Sequence, residues 1–183
     1  NAAEKIAHAA ERKAFETIPD GKWAHYTQRL IRENDPYILK TFLTNAAYEG
    51  GFRGYKTAQE NAAKYDINVP WLILMDPTSA CICTAPAAGR RNMAKALGTH
   101  ACLFTGGEPL LRKKDIIRLC EKHRDMAFHA FTNGTLIDEE FCQEMLRVGN
   151  FFVSISVEGF EEANDGRRGR GHFQKALDAM DLL

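Results

Sequence analysis

The chain has 183 residues, of which 45% are hydrophobic, and its 24 basic and 24 acidic side chains leave a formal net charge of zero. This composition is typical of a globular protein with a sizeable core, and it excludes a disordered chain. The balanced charge argues against nucleic acid as a partner, because no broad positive field attracts phosphates. No apolar run reaches the roughly 20 residues of a membrane helix, and segment 1–13 is too charged for a signal sequence, so we expect a cytoplasmic protein without a membrane partner.

Residues 1 to about 68 have the pattern of helices. Asp35-Pro36 predicts a helix start, apolar residues at helical spacing follow, and Gly50-Gly51 predicts its end. The segment 57–60, Thr-Ala-Gln-Glu, has the capping-box pattern ahead of a further short helix. We interpret residues 1–69 as a helical amino-terminal extension that packs against the next domain rather than carrying chemistry.

The pattern changes at Pro70, where strand-like apolar runs begin to alternate with amphipathic stretches. Strands are predicted over 71–75, 100–105, 126–132 and 151–157, and helices over 92–97, 114–123, 138–147 and 173–183. This alternation indicates an α/β fold with a parallel sheet and right-handed crossovers. Four units are too few to close an eight-unit barrel, so the pattern allows either an open doubly wound sheet or part of a larger barrel.

Polar groups follow every predicted strand at its carboxyl end. Because the carboxyl ends of parallel strands meet at one edge of the sheet, we expect these groups to form one site. They are Asp76, Thr78, Cys81 and Cys83 after the first strand, segment 106–109 after the second, segment 132–134 after the third, and Ser156 with Glu158 and Gly159 after the fourth.

The stretch Gly106-Gly107-Glu108-Pro109 is the most informative part of this edge. The glycines let a ligand approach the backbone closely, and Pro109 ends the strand. The Glu108 carboxylate can accept hydrogen bonds from an ammonium group. The sequence therefore predicts a site for a small cationic or zwitterionic molecule.

Four motifs in this order resemble the radical S-adenosylmethionine (radical SAM) superfamily: Asp-Pro-Thr-Ser-Ala-Cys at 76–81, Gly-Gly-Glu-Pro at 106–109, Thr-Asn-Gly-Thr at 132–135 and Ile-Ser-Val-Glu-Gly at 155–159. The resemblance covers residues 70–183. It implies a partial (β/α)6 TIM-like barrel, of which about four β/α units are present, preceded by a helical segment. We therefore divide the chain into an extension, 1–69, and a radical SAM core, 70–183, that we expect to be incomplete at its carboxyl end.

The resemblance also implies an activity. In this superfamily a [4Fe-4S] cluster on three cysteines of a Cys-x-x-x-Cys-x-x-Cys loop binds S-adenosylmethionine (SAM). Reductive cleavage of the bound SAM then gives a 5′-deoxyadenosyl radical, which abstracts a hydrogen atom from the substrate. The implied cofactors are thus the cluster and SAM. The implied partners are an electron donor such as flavodoxin or ferredoxin and an unknown small-molecule or peptide substrate.

Site residues follow from the resemblance position by position. Cys81 resembles the first cluster cysteine, and we expect Cys83 to be a second metal ligand. The cofactor-binding positions are Gly106, Gly107 and Glu108 for the methionyl ammonium, Asn133 for the adenosyl group, Ser156 with Glu158 for the ribose or methionyl carboxylate, and Arg168 for that carboxylate.

The cysteine loop departs from the family pattern. The chain reads Cys81-Ile82-Cys83, and Pro86 stands where the third ligand would fall. The segment between Cys83 and Gly106 is also short for a crossover, which takes at least about 10 to 12 residues before the strand is counted. Two explanations stay open: residues are missing from the sequence between Cys81 and Gly106, or the protein has lost its cluster. The second would make it a catalytically inactive barrel scaffold that binds a ligand or a protein partner.

The other candidates have structural explanations. The five cysteines, an odd number, fit reduced thiols or metal ligands better than disulfides. We expect Cys102, Cys120 and Cys142 to be small core residues. His129 could face the barrel lumen and contact substrate, but we predict a hydrogen-bonded core histidine. The arginines at 167, 168 and 170 fit a solvated loop as well as a ligand site, and Asp76 and Thr78 fit turn and capping roles.

Overall fold

The computed structural model describes residues 22–77 and 93–183. The chain divides into two compact units, Asn1–Leu39 and Lys40–Leu183. In the first unit, helix α1 (Lys22–Glu33) is followed by the start of helix α2 (Pro36–Leu43). The Asp35 carboxylate accepts a hydrogen bond of 2.7 Å from the backbone N of Tyr37, which confirms the helix start predicted at Asp35-Pro36.

Helix α2 does not end at Gly50-Gly51. It continues as a π-helix, Thr44–Gly54, and then as helix α3, Tyr55–Tyr65. The predicted helix end was therefore wrong, and so was the capping box, because Thr57 lies inside α3 with its hydroxyl donating to the Arg53 carbonyl. Tertiary contacts therefore override the local sequence preferences for a helix end and a helix start in this segment. The buried Asn45 amide donates to the carbonyls of Arg124 and Met126, at 2.6 and 3.2 Å, and so fixes the π-helix against the amino end of a strand.

Four strands form one parallel sheet. They are β1 (Leu72–Met75), β2 (Ala101–Phe104), β3 (Ala127–Thr132) and β4 (Phe151–Ile155), and their order in the sheet is β1-β2-β3-β4. All four lie where strands were predicted, and all three pairings are parallel. A doubly wound sheet reverses its strand order at a switch point, whereas these described strands follow one another in chain order. The sheet is therefore part of a (β/α) barrel, as expected.

Helices connect the strands. Residues 93–97 are helical, and a 3₁₀ turn (Pro109–Arg112) leads into α4 (Lys113–Lys122). Helix α5 (Glu139–Val148) begins at Asp138, whose carboxylate accepts from the Phe141 backbone N at 2.9 Å. Helices α6 (Glu161–Arg168) and α7 (His172–Leu182) follow β4. Helix α6 was not predicted, because Asn164-Asp165-Gly166 reads as a loop.

The core lies on one face of the sheet. Phe104 and Phe128 stack with ring centroids 6.0 Å apart, Phe151 meets Phe104 edge to face, and Phe141 meets Phe151 in the same way. Helices α4, α5 and α7 cover this face. Cys102, Cys120 and Cys142 are buried within it, which confirms that they are small core residues. Within the described part of the chain, no helix is both long and apolar enough to cross a membrane.

The opposite face of the sheet, called the inner face below, carries alternate residues of the same strands. His129 and Phe131 of β3 and Phe152 of β4 form a continuous ring cluster on it. Phe42, from the end of α2, packs edge-on against Phe152 with centroids 4.9 Å apart. The α2 end and the π-helix therefore cover the inner face near the amino ends of the strands.

Candidate active site

The carboxyl ends of the four strands meet, as the sequence predicted. Beyond the ladder of β1 and β2, the backbone N of Thr105 donates to the Met75 carbonyl at 2.9 Å. Beyond β3 and β4, the backbone N of Ser156 donates to the Thr132 carbonyl at 2.8 Å. These bonds extend the sheet into the turns, so the polar residues that follow each strand are held at neighbouring positions.

Glu108 links the ends of β2 and β3. Its Oε1 accepts from the Leu110 backbone N at 2.9 Å and from the Thr132 hydroxyl at 2.7 Å. Its Oε2 accepts from the Asn133 backbone N at 2.8 Å. Sequence reasoning gave Glu108 only a ligand role and missed this bridge, since nothing local signals a bond across 25 positions. An ionised carboxylate has about four acceptor sites, so Glu108 can still bind one further donor.

Gly106 is held in a conformation that suits glycine alone. Its φ is +100°, and a Cβ built there would lie 2.6 Å from both carboxylate oxygens of Asp76. Gly106 and Gly107 are exposed, while Glu108 is half-buried beside them. The turn therefore presents bare backbone to solvent with two carboxylates, Asp76 and Glu108, at its sides. This arrangement suits a ligand with a positively charged group.

Asn133 and Ser156 are both half-buried at the same edge. The Asn133 side-chain oxygen accepts from the backbone N and the hydroxyl of Thr135, at 2.9 and 2.7 Å, and so shapes its own turn. The structure thus brings together the predicted residues of strands β2, β3 and β4.

Glu158 and Arg168, both predicted to bind the ligand, instead form an ion pair with each other. Arg168 Nη2 is 2.5 Å from Glu158 Oε1, and Arg167 Nη1 is 3.2 Å from Glu158 Oε2. The Asn164 side-chain oxygen accepts from the Glu158 backbone N at 3.2 Å. A ligand carboxylate at Arg168 would therefore compete with Glu158. The Arg168 Nε atom is buried and has no hydrogen-bond partner among residues 22–77 and 93–183.

The predicted metal ligands Cys81 and Cys83, together with Thr78, lie outside the described residues. Within 22–77 and 93–183, no group of three His, Cys, Asp or Glu side chains could hold a metal ion. Burial raises the pKa of Cys120 and of Cys142, so both stay protonated and make poor ligands. Cys81 and Cys83 therefore remain the predicted cluster ligands.

His129 lies on the inner face, deeper than the strand ends. Its Nε2 is 2.8 Å from the Ser154 hydroxyl, which confirms the predicted hydrogen bond, although the ring is half-buried rather than in the core. The ring stacks on Phe152 with centroids 4.2 Å apart and planes 10° apart. Burial lowers the pKa of His129 and keeps it neutral near pH 7.

A parallel sheet in chain order, with a polar site at its carboxyl edge, defines the core of a (β/α) barrel. The family model described as the Radical SAM superfamily matches residues 90–183, just over half of the chain. The chain therefore belongs to the radical SAM superfamily.

Relatives of assigned function agree with this membership. The chain is 41% identical over 88 residues to Fe-coproporphyrin III synthase of Methanosarcina barkeri. It is 29% identical over 92 residues to AdoMet-dependent heme synthase of the same organism. It is 31% identical over 94 residues to PqqA peptide cyclase of Granulibacter bethesdensis. These matches cover 46%, 48% and 49% of this chain but only 22%, 26% and 25% of the relatives.

Proposed function

We propose that this chain is the cofactor-binding part of a radical SAM enzyme that carries a [4Fe-4S] cluster and binds SAM. When bound, the cluster and SAM would supply a 5′-deoxyadenosyl radical for hydrogen abstraction from a substrate. The observation that supports this best is the turn at 106–108, where exposed glycine backbone lies beside two carboxylates at the edge shared by β1 to β3.

The residues at this edge have the chemistry that SAM requires. We assign Gly106, Gly107 and the remaining acceptor capacity of Glu108 to the methionyl ammonium, which brings three N–H donors. We assign Asn133 to the adenosyl group and Ser156 to the ribose, since both are half-buried at this edge. Glu158 holds Arg168 near the same edge through an ion pair. A ligand carboxylate would replace Glu158 as the partner of the Arg168 guanidinium. Cys81 and Cys83 would hold the cluster as thiolates.

The remaining partners are proposals of the same kind. An electron donor such as flavodoxin or ferredoxin would reduce the cluster, and the cytoplasm would keep the thiols reduced. The names of the relatives indicate the first reactions to assay, namely formation of an iron porphyrin and cyclisation of a peptide.

Anaerobic reconstitution tests the proposal. We expect the purified protein, given iron, sulfide, reductant and SAM, to turn brown and release 5′-deoxyadenosine. Cys81→Ala should lose bound iron. Cys142→Ala, which alters a core cysteine, should keep it. A protein that binds no iron and releases no 5′-deoxyadenosine would instead be the inactive scaffold.

The substitution Glu108→Gln tests the SAM site while keeping a side chain of the same size there. The amide keeps the size of the side chain but removes its negative charge, so we expect SAM affinity to fall about tenfold or more. Thr132→Val is the matched control, because it removes one hydrogen bond to Glu108 but leaves the charge. SAM affinity in a folded Glu108→Gln variant equal to that of the wild type would refute the assignment.

A further inference from the structure

The inner face contains one polar pair in apolar surroundings. His129 and Ser154 lie on adjacent strands, joined by the 2.8 Å bond between Nε2 and Oγ. Residues at the same pleat of the register, such as Leu74, Leu103 and Phe152, are apolar. None of the residues in the four described strands is charged. The pair is therefore the hydrogen-bonding feature of a neutral surface.

Among the described residues, this surface is covered near the amino ends of the strands and uncovered near their carboxyl ends. Phe42 and the π-helix cover it near the amino ends of the strands. Toward the carboxyl ends, Phe131 remains 45% exposed and Leu74 remains 65% exposed. A molecule that enters past Glu108 and Asn133 would therefore first reach the row of Phe131 and Ser154, and then the row below it, which holds Leu74 and His129.

One atom of the pair has unused hydrogen-bonding capacity. The hydrogen bond to Ser154 uses the Nε2 atom of His129. The Nδ1 atom makes no hydrogen bond to residues 22–77 or 93–183, and it is not one of the buried polar atoms that lack a partner, so it is accessible. The ring stacks on Phe152 and meets Phe131 with their planes 58° apart, and these two contacts fix its orientation. A neutral imidazole held in this way offers one directed hydrogen bond without a charge.

From this geometry we infer that His129, oriented by Ser154, is the substrate-positioning residue of the inner face and selects an apolar substrate group that carries one uncharged hydrogen-bonding atom. This inference rests on the proposed function, since the enzyme's substrate would occupy the surface below the SAM site. Phosphorylated or multiply anionic groups would find no cation on these strands. Any such group of the substrate must lie elsewhere.

Binding of 1-naphthol tests the inference, because the probe combines an apolar ring system with one neutral hydroxyl. Fluorescence titration of the reconstituted protein, without SAM, should show saturable binding. Affinity for 1-naphthol should fall about tenfold in His129→Phe, the value of one lost hydrogen bond. Affinity for naphthalene should not change. His129→Gln, which keeps a donor and an acceptor, should restore much of the affinity for 1-naphthol.

Ser154→Ala provides a second variant that removes the orienting bond with little change in packing. It should weaken 1-naphthol binding less than His129→Phe does. No binding to the wild type, or equal 1-naphthol affinity in all folded variants, would overturn the inference. Binding of 1-naphthyl phosphate that is as tight as that of 1-naphthol and depends on His129 would overturn the selectivity for uncharged groups. Since none of these titrations contains SAM, they can fail while 5′-deoxyadenosine release succeeds, or the reverse.

Discussion

At Gly106 even the single methyl group of alanine would meet steric conflict. The positive φ of Gly106 and the nearby Asp76 carboxylate both exclude a side chain, so the same backbone that the proposed ligand would approach is also fixed by steric limits. Glu108, two positions on, bonds the ends of two strands. The residues of this turn thus stabilise the fold and also form the proposed binding site. We expect substitutions there to change both stability and ligand affinity.

Gly106→Ala should destabilise the protein by about 1–3 kcal/mol, because it places a Cβ against Asp76 in a left-handed conformation. Gly166→Ala is the matched control. Gly166 lies in helix α6 with no atom near the position of a Cβ, so alanine there should stabilise by about 0.5–1 kcal/mol. Urea unfolding measures both, and a Gly106→Ala protein as stable as the wild type would contradict the turn geometry.

His129 should make stability depend on pH. Burial lowers its pKa below the ordinary value of 6.5, so the unfolded chain binds this proton more readily than the folded protein. The stability of the wild type relative to His129→Phe should be greatest above that value and should decline as the pH falls through it. Unfolding of both proteins at about pH 7.5 and about pH 5 measures this difference. If the difference in unfolding free energy between the two proteins were the same at both pH values, the pKa of His129 would not be lowered by folding.

Among the elements, the π-helix departs furthest from local expectation. Its last residue, Gly54, brings the helix backbone against the turn before β2, where an added Cβ would clash with the Gly98 carbonyl and lie 2.6 Å from that of Glu49. Asn45, at the other end of the element, bonds the segment before β3. Close backbone approach thus holds this wide helix in place.

Gly54→Ala should therefore cost about 2–4 kcal/mol, since both clashing atoms belong to the backbone and cannot rotate away. Gly51→Ala provides the comparison within the same element. A Cβ at Gly51 would lie 3.6 Å from the Ala46 carbonyl oxygen, an ordinary contact, so the change should alter stability by less than about 1 kcal/mol. Equal melting temperatures for the two variants would argue against the close packing of the π-helix.

For the whole molecule, the core falls within one unit. All buried residues of the hydrophobic cluster lie between Cys102 and Ala179, inside the unit Lys40–Leu183. A chain that begins at Asn34 keeps the Asp35 cap of helix α2 and the whole cluster. We expect it to unfold cooperatively, with a melting temperature within about 5 °C of that of the full chain. Loss of the cooperative transition would show that the first unit is required for the fold.

The sequence predicted the sheet well because each strand is a short apolar run followed by a polar turn. It predicted helix α5 because Asp138 caps it locally. It failed at Gly50-Gly51 and at Thr57, where glycine and threonine usually mark helix ends, because contacts with distant residues decided the outcome. At the candidate site, motifs gave the residues, but the bonds from Glu108 to Thr132 and Asn133 depend on the packing of separate strands.

Phe42 and the π-helix cover the amino-terminal end of the sheet, so among the described residues the inner face is approached from the carboxyl ends of the strands. A compound beside His129 would lie deeper than a second one held at the Gly106 turn, and the outer molecule would cover it. This layout predicts ordered binding, in which the deeper molecule binds first and is released last.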